Sequence, residues 1–190
     1  KPSSKREAED AGIVMVLQEL NIIRTLSVAE NIFLNRLPRS AGFVRYGELR
    51  ENARTALSRV GLEALNPAMN AGDLGVGHQQ LVEIAGALAR NCGVLILDEP
   101  TAGLTDPEID LLFNNVRRLK ACGVGLIYIS HRMDEIRRIA DRVTVLRDGR
   151  RISTHPAAEV TPVGLVREMV GHDLPERKLT ERRSQGQVGL

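Results

Sequence analysis

Two adjacent carboxylates, Asp98 and Glu99, follow directly on the apolar run Val94–Leu97. In an open α/β sheet, ligands bind at the carboxyl ends of the strands, so acids at such an end are candidates for chemistry. Successive side chains of an extended strand point to opposite faces, which gives the two acids different roles if the strand continues through them. One could hold a divalent cation while the other acts on water, as in nucleoside triphosphate hydrolysis. A solvated turn that begins with two acids remains an equal alternative.

Three other segments carry polar groups beside predicted elements. Gln18 follows the strand-like run GIVMVL (12–17), and His131 follows a second such run, GLIYIS (125–130). The glycine-rich segment LGVGHQQ (74–80) precedes a helical pattern. Taken singly, each has an ordinary structural interpretation: a surface glutamine, a hydrogen-bonded histidine and a loop before a core helix.

Hydrophobic periodicity predicts the elements that position these residues. Strands are predicted at 12–17, 94–97 and 125–130, and a hairpin over 142–154 turns at Asp148–Gly149. Helices are predicted at 27–37 with Ser27 as N-cap, at 46–60 with Gly61 as the stop, from about Gly77, over 109–119, near 133–140, and from Thr161 to about Val170. The alternation of strand and helix in the second half predicts an α/β domain with a largely parallel sheet. Residues 19–90 are predicted to be nearly all helical.

Composition narrows the class of protein. The chain has 190 residues, 43% hydrophobic and 26% charged, with a net charge of +2. These values are ordinary for a globular protein, and they give no support to a nucleic-acid binder. The apolar runs are far shorter than the roughly 20 residues that span a bilayer. Cys92 and Cys122 each precede an apolar segment without CxxC spacing, so we expect two buried free thiols rather than a disulfide or a metal site.

Together, the four segments resemble a known family. Gln18, LGVGHQQ, LILDEPTAGLT (95–105) and YISH (128–131), in that order, look like the nucleotide-binding domain of an ABC transporter, over about 11–174. The resemblance implies a partial P-loop NTPase core with an inserted helical lobe. In this interpretation 1–174 is the domain, with the lobe at 19–90 and the Walker B and switch core at 91–174. The charged segment 175–190 would be a linker toward a second domain.

The resemblance also implies roles for the polar residues, with ATP and Mg²⁺ as cofactors. Asp98 resembles the Walker B aspartate that holds Mg²⁺, and Gln18 resembles the Q-loop glutamine that senses the metal and the attacking water. Glu99 resembles the catalytic glutamate, a general base on that water. His131 resembles the switch histidine that contacts the γ-phosphate.

The segment Leu74, Gly75, Val76, Gly77 and His78 resembles the signature that clamps a triphosphate bound to an opposing domain. Such a clamp uses backbone N–H groups and a helix N-terminus, which both attract phosphate charge. Gly75 stands where serine is usual, so the hydroxyl donor is missing. His78 stands where glutamine is usual.

Within the family, the chain resembles ATP-binding subunits of monosaccharide importers of the ribose, galactose and xylose type. The resemblance implies a second ABC ATPase domain, membrane permease subunits and, indirectly, a periplasmic sugar-binding protein as partners, with no nucleic acid. It also implies a peripheral place at the cytoplasmic face of the cell membrane. The segment TLSVAEN (25–31) corresponds to the region that meets the permease in the family. The resemblance further implies that the choice of sugar lies in the permease and the binding protein.

No GxxxxGK[ST] segment occurs in the 190 residues, and no lysine lies in a glycine-rich loop. In the family this P-loop precedes the Q-loop, so we expect the chain to be a first ATPase half truncated before its P-loop and inactive alone. Two alternatives remain open. One is a non-transport ABC ATPase that acts on ribosomes or DNA. The other is a non-catalytic half-domain, against which the presence of Glu99 and His131 argues.

Overall fold

Helices and strands are interspersed along the chain, and the computed structural model describes residues 2–34, 36–90 and 92–171. The helices are α1 (Lys5–Asp10), α2 (Val28–Ile32), α3 (Tyr46–Ser58), α4 (Val76–Leu88), α5 (Asp106–Ala121), α6 (Met133–Ile139) and α7 (Pro162–Val170). The strands are β1 (Ile13–Val16), β2 (Arg39–Ser40), β3 (Phe43–Val44), β4 (Val94–Asp98), β5 (Gly125–Ile129), β6 (Arg142–Arg147) and β7 (Arg150–Pro156). The chain divides into two compact units, 1–140 and 141–190.

A three-stranded parallel sheet in the order β1-β4-β5 lies at the centre of the first unit. Its register places Val16 beside Leu97, and Leu97 beside Tyr128. Side chains alternate along these strands, so that Val14, Val16, Leu95 and Leu97 are buried on one face. The α/β class and the parallel sheet predicted from the sequence are therefore confirmed. All three carboxyl ends lie at one edge of the sheet.

The helices of the first unit bury the apolar positions that their spacing predicts. The buried positions are Leu49, Ala53 and Leu57 in α3, Leu81, Ile84 and Leu88 in α4, and Ile109, Leu112, Phe113, Val116 and Leu119 in α5. Gly61 follows α3 with a φ of 73°, a left-handed conformation that costs glycine little. Among the described helices, none combines the length and the apolar character needed to cross a bilayer.

The predicted helix over 27–37 is too long. Ser27 caps it as expected, with its Oγ accepting a hydrogen bond from the backbone N–H of Glu30, but the helix ends at Ile32. Leu34 remains 39% exposed, so it gains little burial from this conformation. The two-residue strands β2 and β3 then form a small hairpin that the prediction of a nearly all-helical lobe missed. Its turn holds Ala41 and Gly42 at positive φ.

The second unit is built on the antiparallel hairpin of β6 and β7. Asp148 and Gly149 take φ values of 50° and 72°, as two-residue hairpin turns require, and the predicted turn is confirmed. Thr161 caps α7 by accepting the N–H of Gly164. The predicted linker, 175–190, lies outside the described residues, and the predicted division at 90/91 and 174/175 stays a prediction.

The two cysteines are free thiols in different surroundings. Cys92 is buried, and its burial raises the pKa of the thiol above the ordinary value. Cys122 is exposed, so the prediction that both are buried was wrong for this residue. It is the C-cap of α5 and precedes Gly123, whose positive φ turns the chain at the surface.

Candidate functional site

The two acids after the central strand differ in backbone conformation. Asp98 is the last residue of β4 and is half-buried, whereas Glu99 has a φ of 44° and lies outside the strand. The Glu99 N–H donates to the carbonyl oxygen of Ile129 at 2.9 Å. A positive φ is uncommon for glutamate and costs about 1–2 kcal/mol. The strand therefore ends between the acids, and the alternation assumed from sequence does not extend to Glu99.

Glu99 and His131 meet at this edge of the sheet. The His131 Nδ1 atom lies 2.9 Å from Glu99 Oε1, and the two side chains are 68% and 32% exposed. A partly exposed carboxylate can accept a proton from water, and an imidazole beside it can contact an anionic group. The structure thus brings together the two residues predicted to be catalytic, although they are 32 residues apart in sequence.

Gln18 lies at the same edge, two residues beyond β1, with its side chain exposed. The segment that follows it is attached to α4 through Asn21, whose Nδ2 donates to Glu83 Oε1 at 3.2 Å. The other oxygen, Glu83 Oε2, is buried and has no hydrogen-bond partner. Burial is the largest influence on Glu83 and raises the pKa of its carboxyl, while the hydrogen bond from Asn21 opposes that rise. One half-buried carboxylate therefore links the Gln18 segment to the helix that begins at the predicted signature.

We expect Glu83→Gln to stabilise the protein by about 1 kcal/mol at about pH 8, because it removes a half-buried charge. A raised pKa means that folding favours the protonated form, so wild-type stability falls as pH rises through the folded-state value. The gain should shrink as pH approaches the ordinary value of 4.5. Urea unfolding across this range measures it, with Glu51→Gln, 72% exposed, as control. A gain independent of pH would contradict this explanation.

The predicted signature residues form the N-terminus of α4. Gly75 occupies the N-cap position but has no side chain that could form a capping hydrogen bond, and Val76 is exposed. The buried Gly77 donates its N–H to Glu108 Oε1 at 3.0 Å. The second oxygen of Glu108 accepts from the N–H and the Oγ1 of Thr105, at 2.9 and 2.8 Å. One carboxylate therefore joins the N-termini of α4 and α5, and the bonds from Thr105, then that from Gly77, lower the pKa of Glu108.

We expect Gly77→Ala to destabilise the protein by about 1–3 kcal/mol, the usual cost of overpacking. A Cβ at this position would lie 2.7 Å from Cγ and 2.9 Å from Cβ of Glu108, so it would displace the carboxylate from both helix ends. Gly75→Ala is the matched control, since its Cβ would approach Glu108 Oε1 only to 3.6 Å. Chemical denaturation measures both. Equal stability of the two variants would show that the crowding is relieved without cost.

The structure does not bring all the predicted site residues together. In the part of the chain that it describes, Leu74–His78 make no hydrogen bond to Asp98, Glu99 or His131, and no three His, Cys, Asp or Glu side chains form a metal-binding group. Leu74 and His78 are half-buried. Glu108 was not predicted from the sequence, although the T-x-x-E pattern from Thr105 is a recognised helix-start signal. Glu135 was not predicted either, and no local pattern marks it.

Comparison with known families identifies the family of this chain. The family model for the ABC transporter matches residues 1–102, just over half of the chain. This chain belongs to the ABC transporter family. As an ABC chain it contains the segments LILDEPT and YISH on which the resemblance rested, at the ends of β4 and β5.

Curated relatives of this ABC chain are named as sugar import ATP-binding proteins. It is 45% identical over 187 residues to the ribose import ATP-binding protein RbsA of Chromobacterium violaceum, covering 98% of this chain and 37% of the relative. It is 50% identical over 182 residues to a putative ribose/galactose/methyl galactoside import ATP-binding protein of Agrobacterium fabrum, covering 96% and 36%. The chain therefore spans about a third of the length of the curated relatives it matches.

Solved ABC structures share the fold. The chain is similar to MJ1267, an ATP-binding cassette of an ABC transporter, with a TM-score of 0.73, 27% identity, and coverage of 89% of this chain and 71% of that one. It is also similar to cbiO1 of Clostridium perfringens, part of the ABC transporter complex cbiONQ, with a TM-score of 0.69 and 27% identity. That match covers 85% of this chain and 62% of cbiO1.

Proposed function

We propose that this chain is part of the ATP-binding, ATP-hydrolysing subunit that energises monosaccharide import through an ABC transporter. The observation that carries the proposal is the contact between Glu99 and His131, 2.9 Å apart, at the strand ends beside Asp98. The names of the two relatives described above support the import of ribose- or galactose-type sugars.

In this proposal Glu99 is the general base that takes a proton from the attacking water, and its 32% exposure leaves the carboxylate accessible to that water. Glu99 also accepts from Nδ1 of His131, which orients the ring, and Nε2 can donate to the γ-phosphate when it also carries a proton. Positioning and charge stabilisation dominate phosphoryl transfer, so the fixed placement of these two groups matters more than covalent chemistry.

Asp98 and Gln18 would hold Mg²⁺. They offer carboxylate and amide oxygens, the hard ligands that this ion prefers, and Mg²⁺ commonly needs only one or two protein carboxylates besides water and phosphate oxygens. The donor set therefore fits the ion. Mg²⁺–ATP, when bound, supplies the reactive phosphoryl group and the neutralisation of its charge.

Leu74–His78 would meet the triphosphate of an opposing domain with the N-terminus of α4. The exposed Val76 and Gly75 leave this end of the helix accessible, and the helix dipole favours an anion there. Because the N–H of Gly77 already donates to Glu108, the phosphate would rely on the neighbouring N–H groups. The missing serine hydroxyl at Gly75 removes one further donor.

The partners in this proposal are a second ABC ATPase domain, membrane permease subunits and, through them, a periplasmic sugar-binding protein, with no nucleic acid. The chain would act at the cytoplasmic face of the membrane. Residues 19–90 would transmit motion to the permease and 91–174 would carry the hydrolytic groups, with 175–190 as a linker. Co-purification with a permease separates this function from that of a non-transport ATPase.

A segment exchange tests the proposal. The 190 residues of this chain replace the corresponding segment of the Chromobacterium violaceum ribose import ATP-binding protein. We call the product the exchanged protein. We expect the exchanged protein to hydrolyse ATP and, with that importer's permease, to support ribose uptake. A folded exchanged protein that binds the permease but does not turn over ATP would overturn the proposal.

The 190-residue chain by itself is expected not to hydrolyse ATP. Its lysines are Lys1, Lys5, Lys120 and Lys178, and none of them lies in a GxxxxGK[ST] segment that could cradle phosphates. Phosphate release from ATP and Mg²⁺ measures this directly. ATP turnover that Glu99→Gln abolishes would contradict it.

A further inference from the structure

A buried carboxylate outside the predicted site lies in the first turn of α6. Glu135 is only 3% exposed, yet its oxygens accept hydrogen bonds from three hydroxyl groups. Thr101 Oγ1 donates at 2.6 Å, Ser130 Oγ at 2.7 Å and Tyr128 Oη at 3.0 Å. The Arg132 guanidinium lies 3.2 Å away and balances the charge. Such a set of partners makes burial of an ionised carboxylate tolerable.

Two partners of Glu135, Thr101 and Ser130, belong to the loops that carry Glu99 and His131. Thr101 lies two residues after Glu99, in the turn beyond β4. Ser130 immediately precedes His131, beyond β5, and its Oγ also accepts the N–H of Arg132 at 3.0 Å. The backbone bond from Glu99 to Ile129 joins the loops at the edge of the sheet, and Glu135 joins them again beyond it. The loop that bears His131 is thus tied on both sides of the histidine.

We propose that Glu135 is a positioning residue that holds the turn after β4 against the loop after β5, so that His131 Nδ1 meets the Glu99 carboxylate. Its effect on ATP turnover rests on the proposed function, whereas its effect on the geometry of the pair does not. Burial, followed by the charge of Glu135, raises the pKa of Tyr128 above its ordinary value, so the phenol keeps the proton that it donates to Glu135.

The geometry has a spectroscopic consequence. When Glu99 accepts from Nδ1, the neutral ring of His131 carries its proton on Nδ1 and leaves Nε2 unprotonated. A ring without this partner is free to take the other tautomer. The nitrogen that carries the proton therefore reports whether the two loops are held in place, which a contribution of Glu135 to stability alone would not change.

The experiment records ¹⁵N spectra of the histidine rings in the 190-residue chain, at a pH where the rings are neutral, with His131 assigned by substitution. In the wild type we expect the Nδ1–H tautomer of His131 to predominate. Glu135→Gln and Thr101→Val should reduce it to less than half of the population. Thr101→Ser, which restores the hydroxyl, should recover the wild-type spectrum.

Asp134→Asn is the matched control, because Asp134 is the exposed neighbour of Glu135 on α6, and it should leave the tautomer unchanged. Should Glu135→Gln fail to fold, Thr101→Val still tests the proposal, since it leaves the Glu135 carboxylate with its other hydrogen-bond partners. A wild-type tautomer in folded Thr101→Val, or a shift in Asp134→Asn as large as in Glu135→Gln, would overturn the proposal.

A second readout separates this proposal from the function on which it rests. In the exchanged protein, Glu135→Gln is expected to lower kcat for ATP about tenfold with KM little changed, as for a group that acts on chemistry rather than on ground-state binding. An unchanged kcat would overturn the catalytic part of the proposal. An exchanged protein without any turnover would reject the proposed function. The tautomer result would still test, independently, whether Glu135 positions His131.

Discussion

Glu99→Gln in the exchanged protein is expected to lower ATP turnover by about 10²–10⁴-fold, the usual contribution of a general base. Glutamine keeps the shape of the side chain, and its carbonyl oxygen can still accept from His131, but it cannot take a proton from water. Because the change affects the chemical step, KM for ATP should stay near the wild-type value. Steady-state phosphate release measures both constants.

The control for this variant is Glu63→Gln, which removes the charge of a 60% exposed glutamate. It should leave turnover unchanged. Turnover of Glu99→Gln within threefold of the wild type would contradict the assigned role, since about a threefold change is far below what loss of a general base produces. In that case the contact with His131 would be structural.

Phe113→Ala should have the largest effect on stability, a loss of about 3–5 kcal/mol. Phe113 is fully buried in α5, and its ring packs edge-on against Tyr128 with centroids 6.2 Å apart. The Arg138 guanidinium lies over the ring, 4.5 Å from its centroid. Truncation leaves a cavity and removes both ring contacts. Urea unfolding should show a lower midpoint with an unchanged m-value.

Phe43→Ala makes the same chemical change at the small hairpin, where the ring is 80% exposed. We expect it to alter stability by no more than about 0.5 kcal/mol, as for most surface positions. Comparable losses in the two variants would mean that the core around Phe113 relaxes to fill the cavity.

Sequence periodicity predicted the elements that have strong apolar patterns. The helical spacing of Leu49, Ala53 and Leu57 predicted α3, and the short apolar run Val94–Leu97 predicted the strand β4. The helix from Ser27 was predicted too long because residues beyond Ile32 are also apolar, and only tertiary packing determines that Leu34 stays partly exposed.

Some residues of the candidate site could be predicted from local sequence and others could not. Gln18, Asp98, Glu99 and His131 were predicted as site residues because motifs place them at strand ends, and a parallel sheet brings strand ends to one edge. Glu108 and Glu135 depend on contacts that no local pattern contains. The bond from Gly77 to Glu108 spans 31 residues, and that from Thr101 to Glu135 spans 34.

Because Glu99 has a left-handed backbone conformation, we expect the residue that is best for thermal stability at position 99 to differ from the one that is best for activity. Its φ of 44° costs about 1–2 kcal/mol, which glycine would not incur. A library randomised at position 99 and sorted only for heat resistance should therefore enrich glycine over alanine. The same library, made in the exchanged protein and selected for sugar-dependent growth of the cells that produce it, should retain glutamate. We therefore expect position 99 to be a place where heat resistance is gained by losing the carboxylate that is proposed to activate water.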